Sequence, residues 1–254
     1  GEGDGKGAVV FDGMGRTLTM PLEVLGYLVL VGYEEEQRRL LKFAARPDDV
    51  ALEAGCGIGW ATIELASRVR RVLAFDADEE QIWWARRNAG ANKIDNVEFF
   101  CAVVGPADGM VGFNLHPERY SSSVTSYDES AIVGIAATPC ISLGRMCKEH
   151  GITFLSLDME GGEAWTLLGT KPDDLAGVDR ILLEVHPRQG GPPAIEDMAR
   201  HLGRCGLKIA CGAGMYNYPR HVYTVLLTRH PLDEEPQSAW LAGMDELGEE
   251  WARW

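Results

Sequence analysis

From about residue 50 the chain alternates two hydrophobic rhythms. Short apolar runs bounded by turn residues give way to segments with helical periodicity, the marks of strand and helix in turn. Val50-Ala51-Leu52-Glu53 is the first buried strand, and a helix-forming run starts at about Trp60. Residues 71–76, RVLAFD, form the second strand, residues 79–92 a helix and residues 96–104 the third strand. Residues 153–158, TFLSLD, and the ILLEV run within 178–186 are the fourth and fifth strands. Helices are expected over residues 143–150, 163–168 and 194–205, and the last two strands over 207–211 and 222–227.

Strands alternating with helices predict an α/β fold with helices on both faces of a mostly parallel sheet. Seven strands with a late hairpin fit a doubly wound, Rossmann-like sheet of order 3-2-1-4-5-7-6. Ligands of such sheets sit at the carboxyl ends of the strands, here near the switch between strands 1 and 4. Residues 9–20 alternate apolar and polar, as a small hairpin or edge strand would, and Glu34-Glu35-Glu36 opens a helix ending near Ala45. Residues 105–140 break the rhythm; 110–115 and 121–126 read as two short strands, an inserted hairpin. The expected organisation is a flexible lead-in over 1–8, one domain over 9–231 and an acidic amphipathic helix over 232–254. In that tail Trp240, Met244, Leu247, Trp251 and Trp254 share one helical face, which docks on its own domain, on a second copy or over the substrate site.

The loop after the first strand carries Gly55, Gly57 and Gly59 at alternate positions. Glycine admits backbone dihedrals and close approaches that a Cβ forbids. A dinucleotide fingerprint needs G-x-G-x-x-G or A. Counting from Gly55 that last position is Trp60, and counting from Gly57 it is Thr62, so neither fits. The string from Glu53 is instead E-x-G-x-G-x-G, the pattern of S-adenosylmethionine (SAM) methyltransferases. The second strand ends on Asp76, 21 residues after Gly55, where a carboxylate accepts hydrogen bonds from ribose hydroxyls. Ala102 and Val103, at the end of the third strand, fall where adenine packs in this fold.

Composition narrows the partners. With 46% apolar residues the chain buries a full core, and no uninterrupted apolar run reaches the ~18 residues of a membrane span. The N-terminus, GEGDGKGA, lacks the apolar stretch of a signal peptide. Net charge is −14, with 38 acids against 24 Lys and Arg, which disfavours a phosphate-backbone partner. The expected partners are therefore a small-molecule acceptor and a second copy of the chain, with neither nucleic acid nor membrane. Six cysteines show no C-x-x-C pair and lie mostly in apolar runs, as reduced thiols of a cytoplasmic protein do; no metal is assigned.

Several segments together resemble the FkbM family of SAM-dependent methyltransferases, mostly O-methyltransferases of natural products and saccharides. Tyr33-Glu34 resembles the family's early Y-E pair, EAGCGIGW its first motif, and Phe75-Asp76 with Arg87-Asn88 its F-E-P…R-R-N segment. The most specific match is LDMEGGE over residues 157–163, which resembles K-I-D-V-E-G-A-E; ILLEVHP over 181–187 resembles the fifth-strand segment. Ser156 stands where the family has Lys, and the L-D-D-L element reads Leu143-Gly144-Arg145-Met146. The resemblance implies a class I methyltransferase fold, SAM as cofactor, and Glu34, Glu53, Gly55, Gly57, Gly59, Asp76, Ala102 and Val103 around it.

Transfer of a methyl group to a hydroxyl needs a base or a metal, because the hydroxyl pKa is high. Asp158 and Glu160 end strand 4, and Glu184 and His186 end strand 5, its neighbour in the proposed order. These four residues are the candidate catalytic set, with Asp158 and His186 jointly as base and the two glutamates positioning. Each has a structural alternative: Asp158 as acceptor for the Gly161-Gly162 turn, Glu160 and Glu163 as caps of the next helix, and His186 as a loop histidine. Glu184 is harder to account for that way, since an acid in a buried strand needs a partner. A NAD-dependent oxidoreductase and a non-catalytic SAM-binding module are the competing functions.

Overall fold

The computed structural model describes residues 8–13, 16–21, 35–116, 122–124, 132–186, 191–215 and 222–232. Glu34, the lead-in over 1–7 and the acidic tail from residue 233 lie outside them.

A seven-stranded sheet organises the molecule. Its strands are β3 (Val50–Ala54), β4 (Arg71–Asp76), β5 (Val97–Cys101), β9 (Phe154–Leu157), β10 (Arg180–Val185), β11 (Lys208–Met215) and β12 (Val222–Thr228). The order across the sheet is β11-β12-β10-β9-β3-β4-β5. Only β12 runs antiparallel to its neighbours β10 and β11. Renumbered over these seven strands this is 3-2-1-4-5-7-6, the expected doubly wound topology.

The central strands read as near-continuous apolar runs because both faces are covered. Side chains of successive residues alternate between two layers. Val50, Leu52 and Ala54 of β3 join Leu155 and Leu157 of β9 and Ile181 and Leu183 of β10 on one side. Helices α4 (Leu143–His150) and α6 (Gly191–Arg204) cover that side through Leu143, Met146, Met198 and Leu202. Ala51, Val72, Ala74, Phe154 and Leu182 face the other side. There α1 (Glu35–Ala44), α2 (Trp60–Ala66) and α3 (Glu79–Ala91) pack through Leu40, Leu41, Leu65 and Ile82. Each fully buried side chain of this kind contributes about 1.5–3 kcal/mol. Asp78 caps α3 by accepting from Glu80 N.

The hairpin expected over 9–20 forms as β1 (Ala8–Gly13) and β2 (Arg16–Pro21). Leu18 and Met20 pack on Ile58, Trp60, Ile63 and Trp84, and Asn88 accepts from Thr19 N. A helix, α5 (Glu163–Gly169), follows β9.

Residues 96–142 depart from the expectation. The third strand does not run to 104: β5 stops at Cys101, and β6 (Val103–Gly105) belongs to a separate sheet of order β6-β8-β7. Ala102 N donates to Asp76 O, which anchors the bend between the two strands. Among the described residues β7 (Gly109–Leu115) pairs along its length with β8 (Gly134–Ser142); of the stretch 121–126 only 122–124 are described. Of that stretch, Ser123 makes a single bridge to Asn114. Pro139, which has no N–H to donate, lies within β8. It is tolerated because β6 pairs only with residues 140–142, so at Pro139 this side of β8 is an edge.

Candidate functional site

The glycine loop is held open by backbone contacts from both neighbouring strands. Gly55 N and Cys56 N donate to Phe75 O, and Asp158 N donates to Ala54 O. Gly55 has φ +86°, and a Cβ there would lie 1.6 Å from the Asp158 carbonyl oxygen, so only glycine fits between β3 and the end of β9. Gly57, φ +50°, faces open space. Gly59 is the N-cap of α2 and lies against Ala85.

Asp76 completes the loop from below. Its Oδ2 accepts from Gly57 N at 2.9 Å and its Oδ1 from Asp78 N at 2.9 Å. Burial pushes its carboxyl up to about 6 although these N–H groups oppose the shift. Behind it Glu53 is 3% exposed. Burial pushes that carboxyl up to about 8; Thr62 opposes the shift, and the charges of Asp158 and Asp76 add to it. Glu53 Oε2 is buried with no hydrogen bond among the described residues.

One cavity runs from this loop to the end of β9. Gly55, Gly57, Asp76, Ala102 and Val103 line it, so five of the expected cofactor residues converge. Glu53 and Gly59 do not reach its wall. The wall also holds Ile58, Trp60, Phe75, Ala77, Gln81, Phe113, Ser122, Val124, Met159 and Gly162, none of which was among the expected site residues. Phe113, Ser122 and Val124 come from the inserted elements, whose pairing carried no legible signal.

Asp158 and Glu160 are both on the same cavity wall. Glu160 has φ +50°, a left-handed backbone uncommon for a residue with a side chain. His186, from the end of β10, brings the acids together. Its Nε2 lies 3.6 Å from Glu160 Oε2, 3.6 Å from Glu184 Oε1 and 4.0 Å from Asp158 Oδ1. All four expected catalytic residues therefore meet, although His186 and Glu184 stand next to the cavity wall rather than on it. Asp158, Glu184 and His186 offer ligand atoms within 4.8 Å of one another, as a metal ion would require.

The sequence missed the fifth member. Glu163, 2% exposed, places Oε1 3.0 Å from His186 Nδ1. The same oxygen accepts from Met159 N at 2.8 Å and Gly161 N at 3.1 Å. Glu163 thus satisfies the loop amides that Asp158 had been weighed for, and it fixes the imidazole as well. Asp158 Oδ1 remains buried and unpartnered among the described residues.

Charge in this cluster follows from geometry. Burial disfavours the imidazolium of His186, but the hydrogen bond and charge of Glu163, with Glu160 and Glu184, outweigh it and hold the pKa well above 6.5. Burial pushes Asp158 up to about 7; His186 lowers it, and Glu160 and Glu163 raise it. Both groups therefore keep their protons to higher pH than they would free in water. All six cysteines are free thiols, five of them buried, and none joins the site. No helix among the described residues is long and apolar enough to cross a membrane.

Residues 51–110 match the family model described as a methyltransferase domain. A 23S rRNA (uracil(1939)-C(5))-methyltransferase of Xanthomonas campestris pv. campestris is 41% identical over 58 residues, 23% of this chain and 13% of that protein. The Methanothermobacter thermautotrophicus protein named "Probable cobalt-precorrin-6B C(15)-methyltransferase (decarboxylating)" is 45% identical over 65 residues, 24% of this chain and 34% of that one. The chain thus aligns with only a small part of these relatives. Among solved structures, M. jannaschii TYW2 in complex with AdoMet has the same fold at TM-score 0.52 and 16% identity, with 90% of this chain and 89% of that one covered. The fold is that of the class I Rossmann-like methyltransferases.

These relatives correct one expectation. The acidic balance had argued against a nucleic-acid partner, yet the 41% identical relative is by name an rRNA methyltransferase. A whole-chain sum of −14 describes solubility and long-range field, and it does not exclude a local basic face.

Proposed function

We propose that the chain is a SAM-dependent methyltransferase that methylates a hydroxyl group, of the kind found in the FkbM family. The observation that carries this reading is one cavity lined both by the glycine loop and Asp76 and by Asp158 and Glu160. The cofactor is SAM. The cradle fits it: a Cβ at Gly57 meets nothing within 4 Å, so backbone alone forms that part of the wall. Asp76, Asp158 and Glu160 give a cationic ligand a negative surrounding.

Bound SAM supplies a methyl group already activated on a sulfonium. The chain must align the acceptor, exclude water and take one proton. Alignment is worth roughly 7–11 kcal/mol of barrier. His186 keeps its own proton at neutral pH, because three glutamates surround it. Asp158, with its carboxyl pushed up to about 7, is then the group that receives the hydroxyl proton as the acceptor oxygen bonds to the methyl carbon. The C–S bond breaks with its electron pair on sulfur. Glu163 positions His186, and His186 in turn steadies the ionised form of Asp158.

Two acceptor classes are in play: a hydroxyl of a small natural product or saccharide, supported by the FkbM resemblance, and RNA, supported by the rRNA methyltransferase relative. Labelled methyl transfer from SAM to a panel of saccharides, polyols and total RNA separates them. Asp76→Ala is expected to weaken SAM binding by about 1.5–3 kcal/mol in calorimetry. Asp158→Asn is expected to leave SAM affinity intact and lower turnover about 10²–10⁴-fold. No SAM binding by the parent chain would end the reading.

A further inference from the structure

The cluster at the ends of β9 and β10 brings metal-ligating atoms close together. Asp158, Glu184 and His186 bring two carboxylate oxygens and a ring nitrogen within 4.8 Å of one another. The separations from His186 Nε2, 3.6 Å to Glu184 and 4.0 Å to Asp158, are too long for direct hydrogen bonds. They suit two ligands of one cation: bonds of about 2.1 Å set neighbouring ligands roughly 3 Å apart and opposite ones roughly 4.2 Å apart.

Acidic clusters are common, so a second observation matters. The His186 side chain is 7% exposed. Its Nδ1 is taken by Glu163 Oε1, which leaves Nε2 as the ring's remaining polar atom. That atom points into the carboxylates and makes no hydrogen bond among the described residues. Asp158 Oδ1 is a buried atom that makes no hydrogen bond among the described residues. A carboxylate holding one imidazole nitrogen so that the other faces outward is the arrangement that orients metal-binding histidines.

We propose that Asp158 Oδ1, Glu184 Oε1 and His186 Nε2 bind one divalent cation, which displaces the Nε2 proton, with Glu163 as the residue that positions the imidazole. Two carboxylates with one imidazole and no thiolate suit Mn²⁺ or Mg²⁺ better than a soft-ligand metal. Because Asp158 also lines the cavity, the cation sits where an acceptor hydroxyl arrives and acidifies it. This use rests on the methyl-transfer reading; the binding itself does not.

The test is a Mn²⁺ titration of the chelator-treated full chain, without SAM or acceptor, followed by calorimetry and by the loss of free Mn²⁺ resonance. Saturable binding of a single ion is expected. Glu163→Gln should weaken it about 10–100-fold, the usual cost of losing a ligand's orienting partner. Glu184→Gln and Asp158→Asn should weaken it at least as much, while Glu149→Gln, on an exposed acid, leaves it unchanged. Circular dichroism checks that each variant folds, and three independent site variants keep the result readable should one fail. Absence of saturable Mn²⁺ and Mg²⁺ binding would show that the histidine proton alone balances the acids and would overturn the proposal. Binding that survives in all three site variants would overturn it as well. SAM binding, titrated separately, keeps the two readings apart: SAM without metal defeats only the cation site, and metal without SAM defeats only the methyltransferase.

Discussion

Two glycines two positions apart divide the labour of one loop. Gly55 is held at φ +86° with the Asp158 carbonyl where its Cβ would be, whereas Gly57 at φ +50° opens on the cavity. Gly55→Ala is therefore expected to cost more than the ~1–2 kcal/mol of a left-handed backbone, because β3 and β9 must also separate. Gly57→Ala should cost about that backbone term alone, and its methyl group enters the ligand space. Thermal unfolding combined with SAM calorimetry distinguishes them: the first variant loses stability, the second loses affinity with little change in Tm. The reverse pattern would mean that the cavity is not the cofactor site.

Elements are joined most firmly at the end of the sheet away from the cavity. Asp49, just before β3, pairs with Arg180 at the start of β10, and both side chains are almost fully buried. Asp49 also accepts from Thr153 Oγ1 at 2.7 Å and from Arg46 N at 2.7 Å, so β3, β9 and β10 are tied at their amino ends. Asp49→Ala strands a buried guanidinium and is expected to destabilise by about 3–5 kcal/mol in urea unfolding. Replacing both partners with apolar residues should cost markedly less than the single change. Equal losses would mean that the pair itself, not the orphaned charge, supplies the stability. The opposite end of β9 leads into Asp158, whose Oδ1 has no hydrogen bond among the described residues, and a left-handed Glu160.

Around the cavity the buried titrating groups share one sign, whereas His201, buried elsewhere and held below its ordinary value by burial, has the other. Glu53 is pushed up to about 8, Asp158 to about 7 and Asp76 to about 6, and His186 is held well above 6.5. Each keeps its proton to higher pH in the folded chain than in the unfolded one. The folded state therefore binds more protons between the ordinary carboxylate range and about pH 8, and stability falls as pH rises through that window. Asp108, held low by Arg145, acts oppositely but is exposed and titrates below the window. Tm is expected to be higher at about pH 6 than at about pH 8.5. Glu53→Gln, which mimics the protonated acid, should match the parent at the lower pH and exceed it at the higher one. A parent more stable at the higher pH would contradict the direction of these shifts.

The sequence by itself determined the sheet. Buried parallel strands must be apolar on both faces, so VALEA, RVLAFD, TFLSLD and ILLEV announce themselves, and the right-handed crossover rule then places helices on both faces of their sheet. Strand ends follow from strands, which is why Asp76, Asp158, Glu160, Glu184 and His186 could be gathered before any coordinates. Three matters were left to tertiary structure. The pairing of β7 with β8 depends on where β6 stops, and no local pattern records that. Glu163 reads as an ordinary first-turn helix acid; its role arises only because β10 brings His186 to within 3.0 Å. Protonation, too, was decided by the fold: an imidazole free in water titrates near 6.5, and three glutamates drawn from two strand ends shift it well above that value.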